Sequence, residues 1–287
     1  MAFSSPRHCR PQRAAHRAVA LSLCLVTGWA AAAALPSRPD RAAEVAVGSR
    51  SEARNAAAWW QGFHDPAMTA LVDTAAGDAP RATAIAQAWI AAQVFHVQAV
   101  TTAEIARSAR AEQALLMNAP PDTPRRDELL SVLAQRLEGA EEAEQDRLAR
   151  RNEQLERLGG LTSLAPAALA ALAQPRLDAL ALPQFEGSVQ AGSNTTDAAV
   201  LGELQRLEEH ERQTVQALAA ARALQQEYQA LRATDPAEPE AQIAVLQSYQ
   251  RMLLQGQQVA ARSGDLALAW LRLLHAHVGR LGAYGAP

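Results

Sequence analysis

Lysine is absent from this chain, and its whole basic charge rests on 27 arginines. Cysteine occurs twice, at Cys9 and Cys24, so beyond residue 24 no disulfide, thiolate metal site or redox pair can form. Aromatic residues are scarce, with 4 Phe, 3 Tyr and 5 Trp in 287 residues, and β-branched residues are few. Those are the side chains that fill sheets, and their scarcity argues against a sheet-based enzyme fold. No Gly-rich phosphate loop, Gly-x-Ser-x-Gly elbow or His-Glu-x-x-His helix occurs. His275 and His277 are two residues apart, which on a helix points them about 200° apart, too far to share one ion. His64, His96 and His210 stand singly, and the many carboxylates read as solvated helix faces. The expectation is no catalytic residue, no cofactor and no metal, and hence no enzyme. What is abundant is alanine, 67 residues, together with Leu, Glu, Gln and Arg, all strong helix formers. Long helices packed closely through small residues follow.

Residues 1–34 have the layout of a secretory signal. Arg7, Arg10, Arg13 and Arg17 form a positive stretch without an acid, Ala18 to Trp29 is a short apolar run, and Ala30 to Ala34 offers small-residue cleavage sites. About twelve apolar residues are too few for a stable membrane span. Removing this segment deletes four Arg and no acid, taking the formal charge from −3 to −7 and disfavouring a nucleic-acid surface. Cys24 leaves two readings open: cleavage near Ala34, or lipidation at Leu21-Ser22-Leu23-Cys24, where Leu23 fits poorly before the cysteine.

Residues 35–58 read as an exposed lead-in without sustained period. Asp65-Pro66 predicts a helix capped by the Asp65 carboxylate with proline at its first position. Met68, Leu71, Val72 and Ala75 fall on its inner face, and Gly77 closes it. Trp59, Trp60 and Phe63 read as an anchor folding the lead-in onto the helical body, in preference to a ligand-stacking platform. A helix from Pro80 carries Ile85, Trp89, Ala92 and Ala99 on one stripe. Thr101-Thr102-Ala103-Glu104 has the form of a capping box, which predicts a chain reversal near Val100. The next helix runs to about Met117 and breaks at Asn118 to Pro124.

From Pro124 to Leu158 the clearest long helix follows, with Leu130, Leu133, Leu137, Leu148, Leu155 and Leu158 on a seam whose step from Leu137 to Leu148 is a stutter. Gly159-Gly160 is expected to end it. Residues 161–194 read as a connector punctuated by Pro166, Pro175 and Pro183. Thr195-Thr196-Asp197 opens another helix with Val200, Leu204, Leu207, Thr214, Leu218, Ala221 and Tyr228 along its seam. Thr234 to Pro239 turns the chain, and a last helix starts near Glu240, interrupted at Ser263-Gly264-Asp265. The tail from Gly279 to Pro287 is expected to fray. The expected fold is all-α: two repeated long helical hairpins in a coiled-coil bundle, with no β-barrel segments. Its units are a signal peptide (1–34), a lead-in (35–58), a first helical repeat (59–160), a connector (161–194) and a second repeat (195–287).

Several of these stretches resemble the TolC-like outer-membrane efflux proteins. Trp59-Trp60-Gln61-Gly62-Phe63-His64-Asp65-Pro66 through Leu71-Val72 is similar to the opening of their mature chains. Ala88-Trp89 to Val94 resembles the start of a helix descending to the first hairpin tip, and Leu129 to Gln135 resembles the stretch after the following break. Leu158-Gly159-Gly160 is similar to the close of the first repeat. Arg262-Ser263-Gly264-Asp265-Leu266-Ala267-Leu268 and Leu271 to Tyr284 resemble the corresponding parts of the second. The resemblance implies an efflux or type I secretion role through the periplasmic helical region. It also implies an adaptor or TolC-family channel as partner, a homo-oligomer (a trimer by resemblance), and a location in the periplasm or at the outer membrane. It places partner-contact tips at Thr101, Thr102 and Glu104 and at Asp235, Pro236 and Glu238. The departure is that the strands which build the family's barrel are missing, since Asp78-Ala79-Pro80 runs almost directly into a helix. The alternative is a periplasmic structural or interaction module that has lost transport.

Overall fold

The computed structural model describes residues 59–75, 77–185 and 198–284. The expected signal segment and lead-in lie outside them, as do Thr195-Thr196-Asp197. Among the described residues all regular structure is helical: a 3-10 turn at Trp59–Phe63, then α1 (Pro66–Asp73), α2 (Ala79–Asn118), α3 (Arg126–Thr162), α4 (Pro166–Asp178), α5 (Ala198–Ala233) and α6 (Pro239–Tyr284). The fold is all-α, as the composition requires. Helices α2, α3, α5 and α6 hold 40, 37, 36 and 46 residues, about 55–70 Å each at 1.5 Å per residue. No helix among the described residues is long and apolar enough to cross a membrane.

The four long helices lie side by side in the order α3–α2–α6–α5. Helix α2 packs against both α3 and α6, α6 also packs against α5, and the outer helices α3 and α5 share no substantial contact. Each neighbouring pair is antiparallel, as cross-contacts show. Arg110 meets Glu141 and Arg147 meets Thr102 between α2 and α3. Gln250 meets Glu112 and Gln257 meets Thr102 between α6 and α2. Between α5 and α6, Thr214 bonds the Arg262 carbonyl and Gln255 the Ala217 carbonyl. The seams read from leucine spacing are in place. Val200, Leu207, Thr214, Leu218 and Ala221 of α5 are buried, as are Leu133 and Leu158 of α3.

One end of the layer is braced. Met68, Leu71 and Val72 of α1, Ile85 and Trp89 of α2, Leu158 of α3, and Leu169, Ala173 and Leu177 of α4 form a single core with Leu271 of α6. Asp65 caps α1 by accepting from Ala67 N and Met68 N, with Pro66 at the first helical position. Its other oxygen accepts from Trp89 Nε1 and Gln93 Nε2, both at 2.9 Å, and the Arg176 guanidinium lies 3.4 Å away as an ion pair. One carboxylate thus ties α1, α2 and α4 together. Trp59, Trp60 and Phe63 pack edge to face, and Phe63, Phe185 and Trp270 continue the stack across to α6. The aromatic residues are thus packed into the helical body, while the lead-in they are expected to anchor lies outside the described residues. The chain after α4 runs back along the layer, where Leu180 and Leu182 join Val97, Ile105, Leu218, Met252 and Leu253 in a second core.

Four expected breaks are corrected. Helix α2 passes through Thr101-Thr102-Ala103-Glu104 without reversal. The Thr101 and Thr102 hydroxyls donate to the Val97 and Gln98 carbonyls four residues back, both at 2.7 Å, so they serve an unbroken helix and cap nothing. Gly159-Gly160 lies inside α3, which closes at Ser163 in a left-handed conformation (φ 58°). Pro175 sits within α4. Helix α6 runs through Ser263-Gly264-Asp265. A Cβ on Gly264 would stand 2.7 Å from Val94 Cγ2, so this glycine serves the close approach of α6 to α2. The tail expected to fray is helical as far as Tyr284.

Candidate partner-contact end and polar seam

The antiparallel order brings both short loops, 119–125 and 234–238, to the same end of the layer, opposite the aromatic brace. Ile243 of α6 packs there against a cluster of Leu116, Leu130, Leu133 and Leu137 from α2 and α3, which ties the two loops into one end surface. At the first loop, Arg126 Nε and Nη2 donate to the Leu116 and Met117 carbonyls, both at 2.9 Å, serving two of the terminal carbonyls of α2. Arg125 (φ 59°) turns the chain into α3 and pairs with Glu128 through two hydrogen bonds of 2.8 and 2.7 Å. That pairing holds the Glu128 carboxyl below its usual value and lifts Arg125 above its own. At the second loop, Asp235 adopts a left-handed conformation (φ 45°), which aspartate tolerates better than most residues. Gln242 Nε2 donates to the Pro236 and Ala237 carbonyls, each at 3.2 Å, and pins the turn.

Asp235 and Glu238 are exposed and Pro236 is half-buried, so these three expected contact residues do sit at a helix-connecting loop. Thr101, Thr102 and Glu104 do not. They lie in the middle of α2 and are 0%, 3% and 1% exposed, which removes them from any tip. The true first loop, 119–125, overlaps the helix break that the sequence places at Asn118 to Pro124. The capping-box pattern drew the tip assignment away from it. Pro120, Pro121 and Asp122 are exposed in this loop, and Met117, Leu129 and Val132 beside it are exposed apolar side chains.

Thr102 belongs instead to a polar seam buried between α2, α3 and α6. Its hydroxyl accepts from Arg147 of α3 and from Gln257 Nε2 of α6 at 2.8 Å. About three turns further on, Glu112 accepts from Gln247 and Gln250 at 2.7 and 3.0 Å, and Arg136 of α3 reaches Gln250 at 3.1 Å. Glu104 pairs with Arg107 one turn along its own helix. Burial pulls Arg147 below its ordinary value, with Asp146 opposing and Arg150 adding to the effect. Among the described residues no group of three or more His, Asp or Glu side chains is arranged to hold a metal ion. No family model, no curated protein and no solved structure matches this chain.

Proposed function

We propose that this chain is an exported helical component of an efflux or type I secretion assembly. It works through its helices in the periplasm or at the outer membrane and has no enzymatic role. The observation that carries the reading is the single antiparallel layer of four long helices with both connecting loops at one end. Such a layer offers a long helical wall and one loop-bearing end for a partner. The resemblance of residues 59–72, 88–94, 129–135 and 262–284 to TolC-like proteins, and of the two helix pairs to that family's repeats, supports the same reading. The partner is a periplasmic adaptor or a TolC-family channel, met by loops 119–125 and 234–238, and the wall closes by self-association into a trimer. The test is co-purification of adaptor and channel proteins from the native cells with the intact chain and with both loops replaced by Gly-Ser segments. The intact protein should retain a partner that the loop variant loses. Recovery of neither adaptor nor channel with the intact protein would sink the proposal.

A second reading, a periplasmic interaction module without transport, is favoured by the lack of any strand among the described residues. Drug-sensitivity profiling of a deletion strain separates the two. A strain indistinguishable from wild type across many substrates supports the module.

A further inference from the structure

His96 lies on α2 at the point where α3 and the end of α4 both meet it. Its Nδ1 stands 3.2 Å from Arg151 Nη1 of α3, and the ring also hydrogen-bonds the backbone carbonyl of Leu177 in the last turn of α4. A guanidinium can only donate, so Nδ1 must be an acceptor and the ring neutral, with Nε2–H as its donor. The charges that act on the ring are the Arg151 cation of α3 and the Asp178 carboxylate at the end of α4. Arg147 and Arg150 precede Arg151 on α3 and are engaged elsewhere, Arg147 with Thr102 and Gln257 and Arg150 over the Phe95 ring and with Asp146. Asp178 is the nearby acid at the end of α4, and it accepts from Gln174. On α6, which meets α2 where Gly264 abuts Val94, the charged residues at this level are Arg262 and Asp265, paired with each other.

We propose that His96 is a proton-operated latch, which holds α3 to α2 near neutral pH and lets it go in mild acid. A proton on Nδ1 removes the acceptor that Arg151 uses and places a cation against that guanidinium, while Asp178 and the Leu177 carbonyl keep the ring at α4. The latch therefore trades α3 for α4, loosening an outer helix whose extensive long-helix packing is with α2. Burial and the Arg151 charge both lower the ring's affinity for a proton, outweighing Asp178 and Leu177, which raise it. The unfolded chain thus takes up this proton more readily than the folded one. The stabilisation is whole above the ordinary imidazole value of about 6.5 and is lost as the pH falls below it.

The experiment is NMR and hydrogen exchange on the full chain. In wild type the His96 ring should titrate below the free imidazole midpoint, and Arg151→Gln should move that midpoint upward. An unmoved midpoint overturns the proposal. Amides of residues 144–158, corrected for intrinsic rates, should lose protection severalfold between about pH 7 and about pH 5 in wild type. They should not lose it in His96→Gln, whose amide oxygen accepts from Arg151 at both values. Equal loss in both proteins, or no loss in wild type, overturns it. If His96→Gln does not fold, the Arg151→Gln titration decides.

Discussion

Asp65 is the residue on which most of the braced end depends. At 2% exposure it receives two backbone amides, an indole and a carboxamide, and it faces Arg176. Asp65→Ala leaves the Trp89, Gln93 and Arg176 groups desolvated without an acceptor, and should cost about 3–5 kcal/mol by urea unfolding. Asp65→Asn keeps one acceptor oxygen and should cost clearly less; equal losses would mean that the carboxylate is not the common acceptor. Gly264→Ala should also destabilise, by about 1–3 kcal/mol of overpacking against Val94, offset in part by the better helix propensity of alanine. Val94→Ala in the same chain should recover most of that loss, a coupling that a double-mutant cycle measures. The helix cap at Asp65 was legible because N-capping is local chemistry. Its bonds to Trp89, Gln93 and Arg176 were not, since nothing in residues 59–72 says which distant donors will arrive.

Helix α2 shows how an element can contradict a correct local rule. Threonine followed three residues later by glutamate satisfies the capping-box pattern, yet the seam with α3 and α6 needs a hydroxyl at position 102 inside a continuous helix. Thr102→Val keeps the shape and removes the acceptor for Arg147 and Gln257, leaving a half-buried guanidinium short of a partner. The expected cost is about 1–3 kcal/mol in chemical unfolding. A change of the same size from replacing residues 119–124 by a Gly-Ser loop would contradict the assignment of the tip, because exposed loops carry little stability. The same competition explains Gly264 and Pro175: each reads as a break, and tertiary packing or a place near the helix end absorbs it. The seam leucines and the α5 stripe were legible because a 3.6-residue period records which face is covered.

Among the described residues, α2 and α6 each pack extensively against long helices on both sides, whereas α3 packs extensively against α2 and α5 against α6. Native-state hydrogen exchange should therefore be slowest in α2 and α6 and faster in the outer faces of α3 and α5. Slowest exchange in α5 would mean that another surface covers it. Abundant alanine, absent lysine and the leucine periods determined by themselves that this is a helical protein, roughly where its long helices lie, and which stripe each buries. Those are consequences of local geometry and of the removal of apolar area from water. Only the tertiary structure decided the neighbour order α3–α2–α6–α5, the shared end for both loops and the meeting of His96 with Arg151 and Leu177. Residues 55 and 81 positions apart come together through helix packing, and a one-dimensional pattern holds no record of which stripes will face each other.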